Sequence, residues 1–255
     1  MIAHKPMDAM PAAAVGEFQE RPVAPALRDV FAAVWTHRMP KTAAPPVIVT
    51  PDGTTDLQWI DGALRIAGPD KEPQTELIRA GTEVIGFRFH PGAAHAWLGL
   101  PISEITSQRV ALEDLWGVRA SRLAKSIRNE ADIERALLAD RVERPSGDTV
   151  MRAAFTLIMQ GAPAGVALIP WLARALQMSE RSLRRRFDEN FGYGPKTLDR
   201  ILRYQRFLRL RRSSTKVPTA LLALDAGYSD QAHLVRESRR LTGLTPGAQV
   251  PYPAR

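Results

Sequence analysis

The chain has 255 residues, a formal net charge of +8, 45% hydrophobic residues and no cysteine. This length allows one or two domains with a sizeable core, and the lack of cysteine excludes disulfides and cysteine-ligated metal sites. The N-terminus has no basic flank followed by an apolar run, and the most apolar stretch, residues 161–176, is broken by two prolines and Arg174. We therefore expect a soluble cytoplasmic protein with no signal peptide and no membrane span.

The charge is divided unevenly along the chain. Residues 1–150 contain 17 Lys and Arg against 20 Asp and Glu, a net charge of −3, whereas residues 151–255 contain 18 against 7, a net charge of +11. Positive potential concentrated on one half is typical of a module that binds nucleic-acid phosphates. A membrane-surface protein would instead carry one long basic amphipathic helix, and the arginines here are spread over several short ones.

The first half is predicted to be rich in short strands. Residues 1–20 are rich in Ala and Pro, and we expect them to be disordered. The predicted strands are residues 30–35, 47–50, 56–60, 63–67 and 83–89. Turn signals separate them, and Asp61 with Gly62 is typical of a two-residue hairpin turn. This spacing predicts a small antiparallel barrel or sandwich, so we assign residues 21–143 to a β-rich sensor or dimerisation domain.

The pattern then becomes helical. Predicted helices cover residues 94–98, 112–116, 118–127 and 132–142, and a linker follows at residues 144–148. Trp35, Trp59 and Trp97 are candidates for lining an apolar ligand pocket, with core packing as the alternative. His90 and His95 lack the spacing of a metal site and are interpreted as loop or surface residues. No catalytic dyad, nucleophile elbow or phosphate-binding glycine loop occurs, so we predict no catalytic residue, metal or cofactor.

Residues 171–187 predict a helix-turn-helix unit. A short amphipathic helix ends near residue 176, and Ser179 is a good N-cap for a second helix. The spacing places Leu183 and Phe187 on one face of that helix and a basic edge opposite. The basic edge consists of Arg181, Arg184 and Arg185. Such a helix can pack on a core and lie in a DNA groove, although a solvated basic face is the alternative.

The same pattern returns at residues 221–243. Gly227 suits a turn with positive φ, and Ser229 or Asp230 can cap the basic helix that follows. Between the units, Pro195 begins a helix that continues to residue 212. Its mostly apolar stripe consists of Leu198, Ile201, Leu202, Gln205 and Leu208. Two units held at a fixed separation by one connecting helix are a far more specific signal than a single unit.

Residues 148–246 resemble the DNA-binding domain of AraC-family transcription regulators. The matching residues are Leu172, Ala173, Met178, Ser179, Leu183, Arg185, Phe187, Gly192, Gly194, Pro195, Ala223, Ala226, Gly227, Tyr228, His233, Leu234, Arg236, Gly243, Thr245 and Pro246. The resemblance implies that DNA is read by Arg181, Arg184, Arg185, Gln231, Ala232, His233, Val235 and Arg236. An arginine can donate two hydrogen bonds to a guanine or bind a phosphate, whereas Ala232 and Val235 offer only apolar contact.

The family further implies which partners the protein has. These are promoter or operator DNA, RNA polymerase, a small-molecule effector and a second copy of the chain, in a bacterial regulator or activator that does not bind membranes. The first half, over residues 18–120, is similar to the sensor-like domain that precedes the DNA-binding domain in some AraC-family members. The matching segments are residues 51–53, 56–57 with Trp59, 67–69 and 86–93.

Three departures from the family pattern concern the stability of the two units. Ser238 stands on the core face of the last helix, where the family usually has phenylalanine. A missing core ring costs about 3–5 kcal/mol unless neighbours fill the space, so we expect Ser238→Phe to be stabilising. Gln177 stands where the family often has glycine and would cost about 1 kcal/mol if it is left-handed. Residues 246–250 lack an aromatic that often follows. The second unit is therefore expected to dock less firmly.

The sequence thus predicts an α+β protein. A small β-barrel or sandwich-like domain with helices precedes an all-α domain, residues 148–250, with two helix-turn-helix units joined by a long helix. We expect a sequence-specific transcription regulator and no enzyme. Two alternatives are an effector-free architectural DNA-binding protein and an enzyme domain fused to a DNA-binding module. The absence of cysteine excludes one fused version, a DNA alkyl-repair protein that uses cysteine as the methyl acceptor.

Overall fold

The computed structural model describes residues 9–42, 45–139, 147–163, 165–214 and 216–247. Two sheets precede a helical second half, which confirms the predicted α+β class. The strands are β1 (Met10–Pro11), β2 (Glu17–Arg21), β3 (Phe31–Arg38), β4 (Val47–Val49), β5 (Asp56–Ile60), β6 (Ala63–Ala67), β7 (Gln74–Glu76), β8 (Glu83–Phe89) and β9 (Arg109–Ala111). The helices are α1 (Ala94–Leu98), α2 (Leu112–Trp116), α3 (Val118–Lys125), α4 (Glu130–Ala139), α5 (Thr149–Gln160), α6 (Leu168–Ala175), α7 (Glu180–Phe191), α8 (Pro195–Ser213), α9 (Thr219–Asp225) and α10 (Gln231–Thr242).

Some predictions fall outside the described residues. These are the disorder of residues 1–8, residues 140–142 of the predicted helix 132–142, residues 144–146 of the predicted linker, and residues 248–250 at the end of the predicted DNA-binding domain. Within the described part, no helix is long and apolar enough to cross a membrane.

Residues 9–20 are ordered, which corrects the prediction of disorder. β2 pairs antiparallel with β3 over its whole length. Phe18 stacks on Trp35, with ring centroids 5.8 Å apart. The Ala- and Pro-rich composition gave no sign of this strand. The strand is held by the stacking of one aromatic side chain and by backbone hydrogen bonds to β3.

The two sheets form a sandwich in the first half. The larger sheet has the antiparallel order β2-β3-β8-β5-β6-β9, and the smaller has the order β1-β4-β7. Alternation along the strands puts Leu57 and Ile66 in the core with the helices of this half. The neighbouring residues Asp56 and Arg65 point the other way, into a cavity that the smaller sheet also lines. The strand period therefore separates an apolar core from a charged cavity.

The second half is built on α8, which spans 19 residues or about 28 Å. Its buried side chains are Pro195, Leu198, Ile201, Leu202, Tyr204 and Phe207. Gln205 and Leu208, which the sequence pattern assigns to the same stripe, lie instead on the wall of the cavity in the first half. Gln205 Nε2 donates a hydrogen bond to Pro51 O at 2.8 Å. Helix α8 therefore contributes side chains to the core of the second half and to the cavity wall of the first half.

The two halves also touch beside α7. Thr106 Oγ1 donates a hydrogen bond to Gly192 O at 3.0 Å, directly after the end of α7. Gly53 has a positive φ of 82°, and a Cβ there would lie 3.0 Å from Leu198 Cδ1 of α8. Glycine at this position therefore satisfies both the backbone conformation and the close approach of the halves.

Candidate nucleic-acid interface and ligand cavity

We call α6 and α7 the first unit and α9 and α10 the second unit. In the first unit, Gln177 adopts the left-handed conformation between the helices, with φ 53°. Ser179 caps α7, and its Oγ accepts a hydrogen bond from Ser182 N at 3.1 Å. Leu183 and Phe187 are fully buried. The turn, the cap and the buried edge lie where the sequence predicts them.

The opposite edge of α7 is basic and exposed. It consists of Arg181, Arg184 and Arg185. Arg184 Nη2 lies 3.4 Å from a Glu180 oxygen, and Arg185 Nη1 lies 2.7 Å from a Glu189 oxygen. Exposed pairs of this kind contribute about 1 kcal/mol or less, so either guanidinium can exchange its partner for a phosphate or a base edge.

The second unit repeats this construction. Gly227 has a φ of 93° in the turn. Of the two candidate caps, Asp230 performs the role, because its Oδ1 accepts a hydrogen bond from His233 N at 2.6 Å. That backbone hydrogen bond is the main reason that the pKa of Asp230 is lowered. Leu234 and Leu241 are fully buried and form the core edge of α10.

The outer edge of α10 carries as many exposed arginines as that of α7. Its exposed residues are Gln231, Ala232, Arg236, Arg239 and Arg240. His233 and Val235, which the family resemblance assigns to DNA reading, are half-buried. His233 Nδ1 lies 3.2 Å from Ser229 Oγ, and its ring meets the Tyr228 ring edge-on at 5.2 Å. His233 therefore supports the turn, while Arg236 is free of the core.

A cavity of about 540 Å³ lies between the two sheets of the first half. Trp35 lines the cavity, whereas the other two candidate tryptophans, Trp59 and Trp97, are not among its lining residues in the described chain. Trp97 packs in the core against Phe89 and Trp116, with ring centroids 5.2 and 4.3 Å apart. The second half contributes Gln205, Leu208, Arg211 and Arg212 of α8 to the wall. The cavity is thus a joint feature of both halves.

One part of the cavity wall is a balanced ionic network. Arg109 donates to both carboxylate oxygens of Asp70, at 3.1 and 2.8 Å, and its Nε donates to Glu76 at 2.7 Å. Arg65 reaches the other oxygen of Glu76 at 2.6 Å. Burial alone would raise the pKa of Glu76, but the two arginines outweigh it and lower that pKa. Two guanidinium groups thus neutralise two carboxylates.

A second part of the wall gathers three carboxylates around one arginine. Arg88 lies between three carboxylates, at 3.2 Å from Glu20, 3.2 Å from Asp52 and 3.4 Å from Asp56. Asp56 also accepts a hydrogen bond from Trp35 Nε1 at 3.3 Å. Burial raises the pKa of Asp56 to about 6, against the lowering effect of Arg88. We call Glu20, Asp52, Asp56 and Arg88 the acidic cluster.

Family comparisons match both halves of the chain. A family described as a helix-turn-helix domain matches residues 172–249, and a family described as a domain of unknown function (DUF6597) matches residues 19–111. The C-terminal region is an AraC-type helix-turn-helix domain. No curated protein sequence matches the chain.

Three solved structures have a similar course of the chain at low sequence identity. ToxT from Vibrio cholerae O395 is 10% identical, with 90% of this chain and 95% of that chain covered and a TM-score of 0.47. A second structure of ToxT from Vibrio cholerae is 12% identical, with 90% and 96% covered and a TM-score of 0.45. The AraC-like transcriptional activator CuxR is 15% identical, with 81% and 90% covered and a TM-score of 0.22. Likeness at this level says nothing about ligands or mechanism.

Ser238 of the AraC-type domain does not leave a gap in the core. The side chain is fully buried, but Tyr204 of α8 supplies an aromatic ring at this place. Ser238 Oγ lies 3.0 Å from Tyr204 Oη and donates to Leu244 O at 2.8 Å. Because Tyr204 lies at this place and the hydroxyl is hydrogen-bonded, the structure predicts the opposite of the expectation from the sequence, namely that Ser238→Phe is destabilising.

Arg206 of the AraC-type domain is a residue that the sequence pattern did not single out. Its guanidinium donates to Ile158 O at 2.9 Å, to Met159 O at 2.9 Å and to Ala226 O at 2.8 Å. These carbonyls belong to the C-terminal ends of α5 and α9, where helices lack partners for their last carbonyl groups. Arg206 therefore fixes two helix ends to α8. Its position inside the predicted helix gave no signal, because its partners are distant in sequence.

His90 and His95 have structural surroundings. His95 Nδ1 lies 2.9 Å from Leu100 O. Burial, with Arg152 nearby, lowers the pKa of His90. No group of three or more His, Asp or Glu within the described ranges is arranged to hold a metal ion.

Proposed function

We propose that this protein is a sequence-specific transcription regulator that binds duplex DNA through both units of its AraC-type domain. The observation that carries the proposal is the repeated pair of recognition helices, each with a buried edge and an exposed basic edge. They are fixed on the rigid helix α8. Its length of about 28 Å suits two units that enter successive major-groove segments, about 34 Å apart on one face of the duplex.

Within this proposal the first unit supplies most of the base reading. Arg181, Arg184 and Arg185 project together from α7, and a bidentate arginine–guanine pair is the commonest specific contact in the major groove. In the second unit, Arg236 is the base-reading candidate. Gln231, Ala232, His233 and Val235 are assigned only by the family resemblance.

We further propose that the domain before residue 144 holds a small-molecule effector in its cavity. Support comes from the volume of about 540 Å³, which lies in the usual range for ligand sites, and from the α8 residues in its wall. A ligand there touches the helix that carries both units. The proposed domains are residues 21–143 and 148–250. The protein acts in the bacterial cytoplasm, as a homodimer in contact with RNA polymerase.

The test is binding of the full-length protein to duplexes selected from a random DNA pool. Affinity for a selected and a scrambled duplex is measured by fluorescence anisotropy across a salt series. A regulator keeps a preference for the selected duplex at every salt concentration, because base contacts are less sensitive to salt than phosphate contacts. An architectural DNA-binding protein shows equal affinity for both duplexes, which would refute the proposal.

A further inference from the structure

The acidic cluster and the balanced network share one cavity but differ in charge. Two arginines face two carboxylates in the network, with contacts of 2.6–3.1 Å. Among the described residues of the acidic cluster, one arginine faces three carboxylates at 3.2–3.4 Å. Charge-assisted hydrogen bonds normally lie near 2.7–2.9 Å, so the contacts of Arg88 are longer than those in the network.

Asp56 is the member of the acidic cluster whose carboxylate has a buried oxygen without a hydrogen-bond donor among the described residues. It is only 8% exposed, and its Oδ1 accepts no hydrogen bond from any residue that the structure describes, with Arg88 Nε 3.4 Å away. A buried carboxylate oxygen without a donor is costly, and a ligand N–H group would satisfy it. The atom belongs to the cavity wall, where such a ligand can reach it.

Aromatic rings stand beside this carboxylate. Trp35, which donates to Asp56, is stacked on Phe18 at 5.8 Å, and both line the cavity. Trp35 lies between Phe18 and Gly86, so the two rings offer apolar area to a ligand body. A carboxylate beside such an area suits a ligand that carries an ammonium group on an apolar body.

We propose that the cavity binds an organic cation, with its ammonium group at Asp52 and Asp56 and its apolar body against Trp35 and Phe18. This proposal rests on the proposed function of the cavity as the effector site. Arg211 and Arg212 in the α8 wall favour an anion instead. They lie six and seven residues beyond Gln205, which is bonded to Pro51, so they are displaced from Asp52 by roughly 9–10 Å along the helix.

Calorimetric titration of the full-length protein at pH 8 with three matched probes tests the proposal. The probes are 2-phenylethylamine, 2-phenylethanol and phenylacetate, which are a cation, a neutral molecule and an anion of similar size. We expect the amine to bind about 10-fold or more tightly than the alcohol, and phenylacetate to bind most weakly. Tighter binding of phenylacetate than of the amine, or no heat with the amine at millimolar concentration, would overturn the proposal.

Substitutions locate the bound amine. Asp52→Asn and Asp56→Asn should each weaken amine binding by about 10-fold. The matched control Asp61→Asn removes a carboxylate paired with Arg79 on the outer surface, and it should leave the affinity unchanged. Amine binding that is equally tight in both cluster variants contradicts the assigned position. Melting curves of each variant confirm that the fold is retained.

DNA binding separates this proposal from the proposed function. If the amine binds at Asp52 and Asp56 but leaves DNA affinity unchanged, the cation site stands and the effector role fails. If phenylacetate binds and shifts DNA affinity while the amine does neither, the effector role stands and the cation site fails.

Discussion

The two helix-turn-helix units share one backbone plan. In the first turn Met178 N donates to Ala173 O at 2.9 Å, and in the second Tyr228 N donates to Ala223 O at 2.9 Å. Each recognition helix then begins at a side-chain cap and ends at a left-handed glycine, Gly192 or Gly243. The units differ in their attachment. The first also contacts the sandwich domain, and the second is packed on α8.

The attachment of the first unit is polar and buried. Tyr193, which follows α7, is buried against the first half, and burial together with Asp52 and Asp70 raises its pKa. The neighbouring Gly192 O accepts the hydrogen bond from Thr106. The sandwich domain and the first unit should therefore unfold together, whereas the second unit should unfold more independently.

The largest effect should come from the DNA-facing edges of the two units. Arg184→Ala combined with Arg185→Ala should weaken binding to a selected duplex by about 10-fold or more, since one arginine–guanine pair contributes about 1–3 kcal/mol. Arg236→Ala, which removes one arginine from the second unit, should weaken it less. Anisotropy titrations measure both effects. Arg79→Ala, on the outer surface of the sandwich, is the charge-matched control.

The same titrations show what the arginines contact. An arginine that reads a base relaxes the preference at one or two positions of the site when it is removed. An arginine on phosphate lowers affinity for all sequences together and reduces the salt slope by about one. If the double change in α7 leaves affinity for every duplex unaltered, α7 is not at the interface.

The second unit is tested through its unusual core serine. Ser238→Phe should lower the free energy of unfolding by about 1–3 kcal/mol, because the ring competes with Tyr204 for filled space. Ser238→Ala should cost about 1 kcal/mol through the lost hydrogen bonds to Tyr204 and Leu244. Urea melts followed by circular dichroism give both values. A more stable Ser238→Phe variant would show that the core around Tyr204 has unfilled volume.

The attachment of the first unit to the sandwich domain can be tested by changing the stability of that domain. Asp56 has a pKa of about 6 in the folded protein, above its ordinary value of 3.8. Its contribution to stability is therefore complete below about pH 4 and is lost as the pH rises through 6. Asp56→Asn avoids this loss and should stabilise the protein by on the order of 1 kcal/mol at pH 8 but not at pH 4.

Hydrogen exchange at pH 8 shows where that gain appears. Amides of α7 should become better protected in Asp56→Asn together with those of β5 and β8, and amides of α10 should change less. Equal gains in α7 and α10 would contradict the difference in attachment between the two units.

The smallest effects concern the two equivalent turns. Gln177 and Gly227 both have positive φ, which costs about 1 kcal/mol for a residue with a Cβ. Gln177→Gly should therefore stabilise the first unit by about 0.5–1 kcal/mol, and Gly227→Ala should destabilise the second by about as much. Thermal melts of the two variants should shift in opposite directions. Shifts in the same direction would mean that the side chains, rather than the backbone conformation, decide stability.

Local patterns in the sequence predicted the second half well. Caps such as Ser179 and Asp230 and the buried edge with Leu183 and Phe187 depend on neighbours within a few residues. The contact between Ser238 and Tyr204 of another helix has no local signature, so the sequence pattern did not reveal it.

The cavity was the least predictable part. The acidic cluster joins residues from β2, β5, β8 and the loop before β5, and their proximity follows from the strand register rather than from spacing along the chain. Trp35 lies in the cavity wall and Trp97 in the core, and composition did not distinguish the two. Strands β7 and β9, with three residues each, are too short to show an alternation.

Hydroxyl-radical footprinting of the full-length protein on a selected duplex tests the central claim most directly. We predict two protected segments on one face of the duplex, separated by about 10 base pairs. Arg236→Ala should weaken protection of one segment, and the double change at Arg184 and Arg185 should weaken the other. A single protected segment, or identical protection on a scrambled duplex, would contradict specific binding by both units.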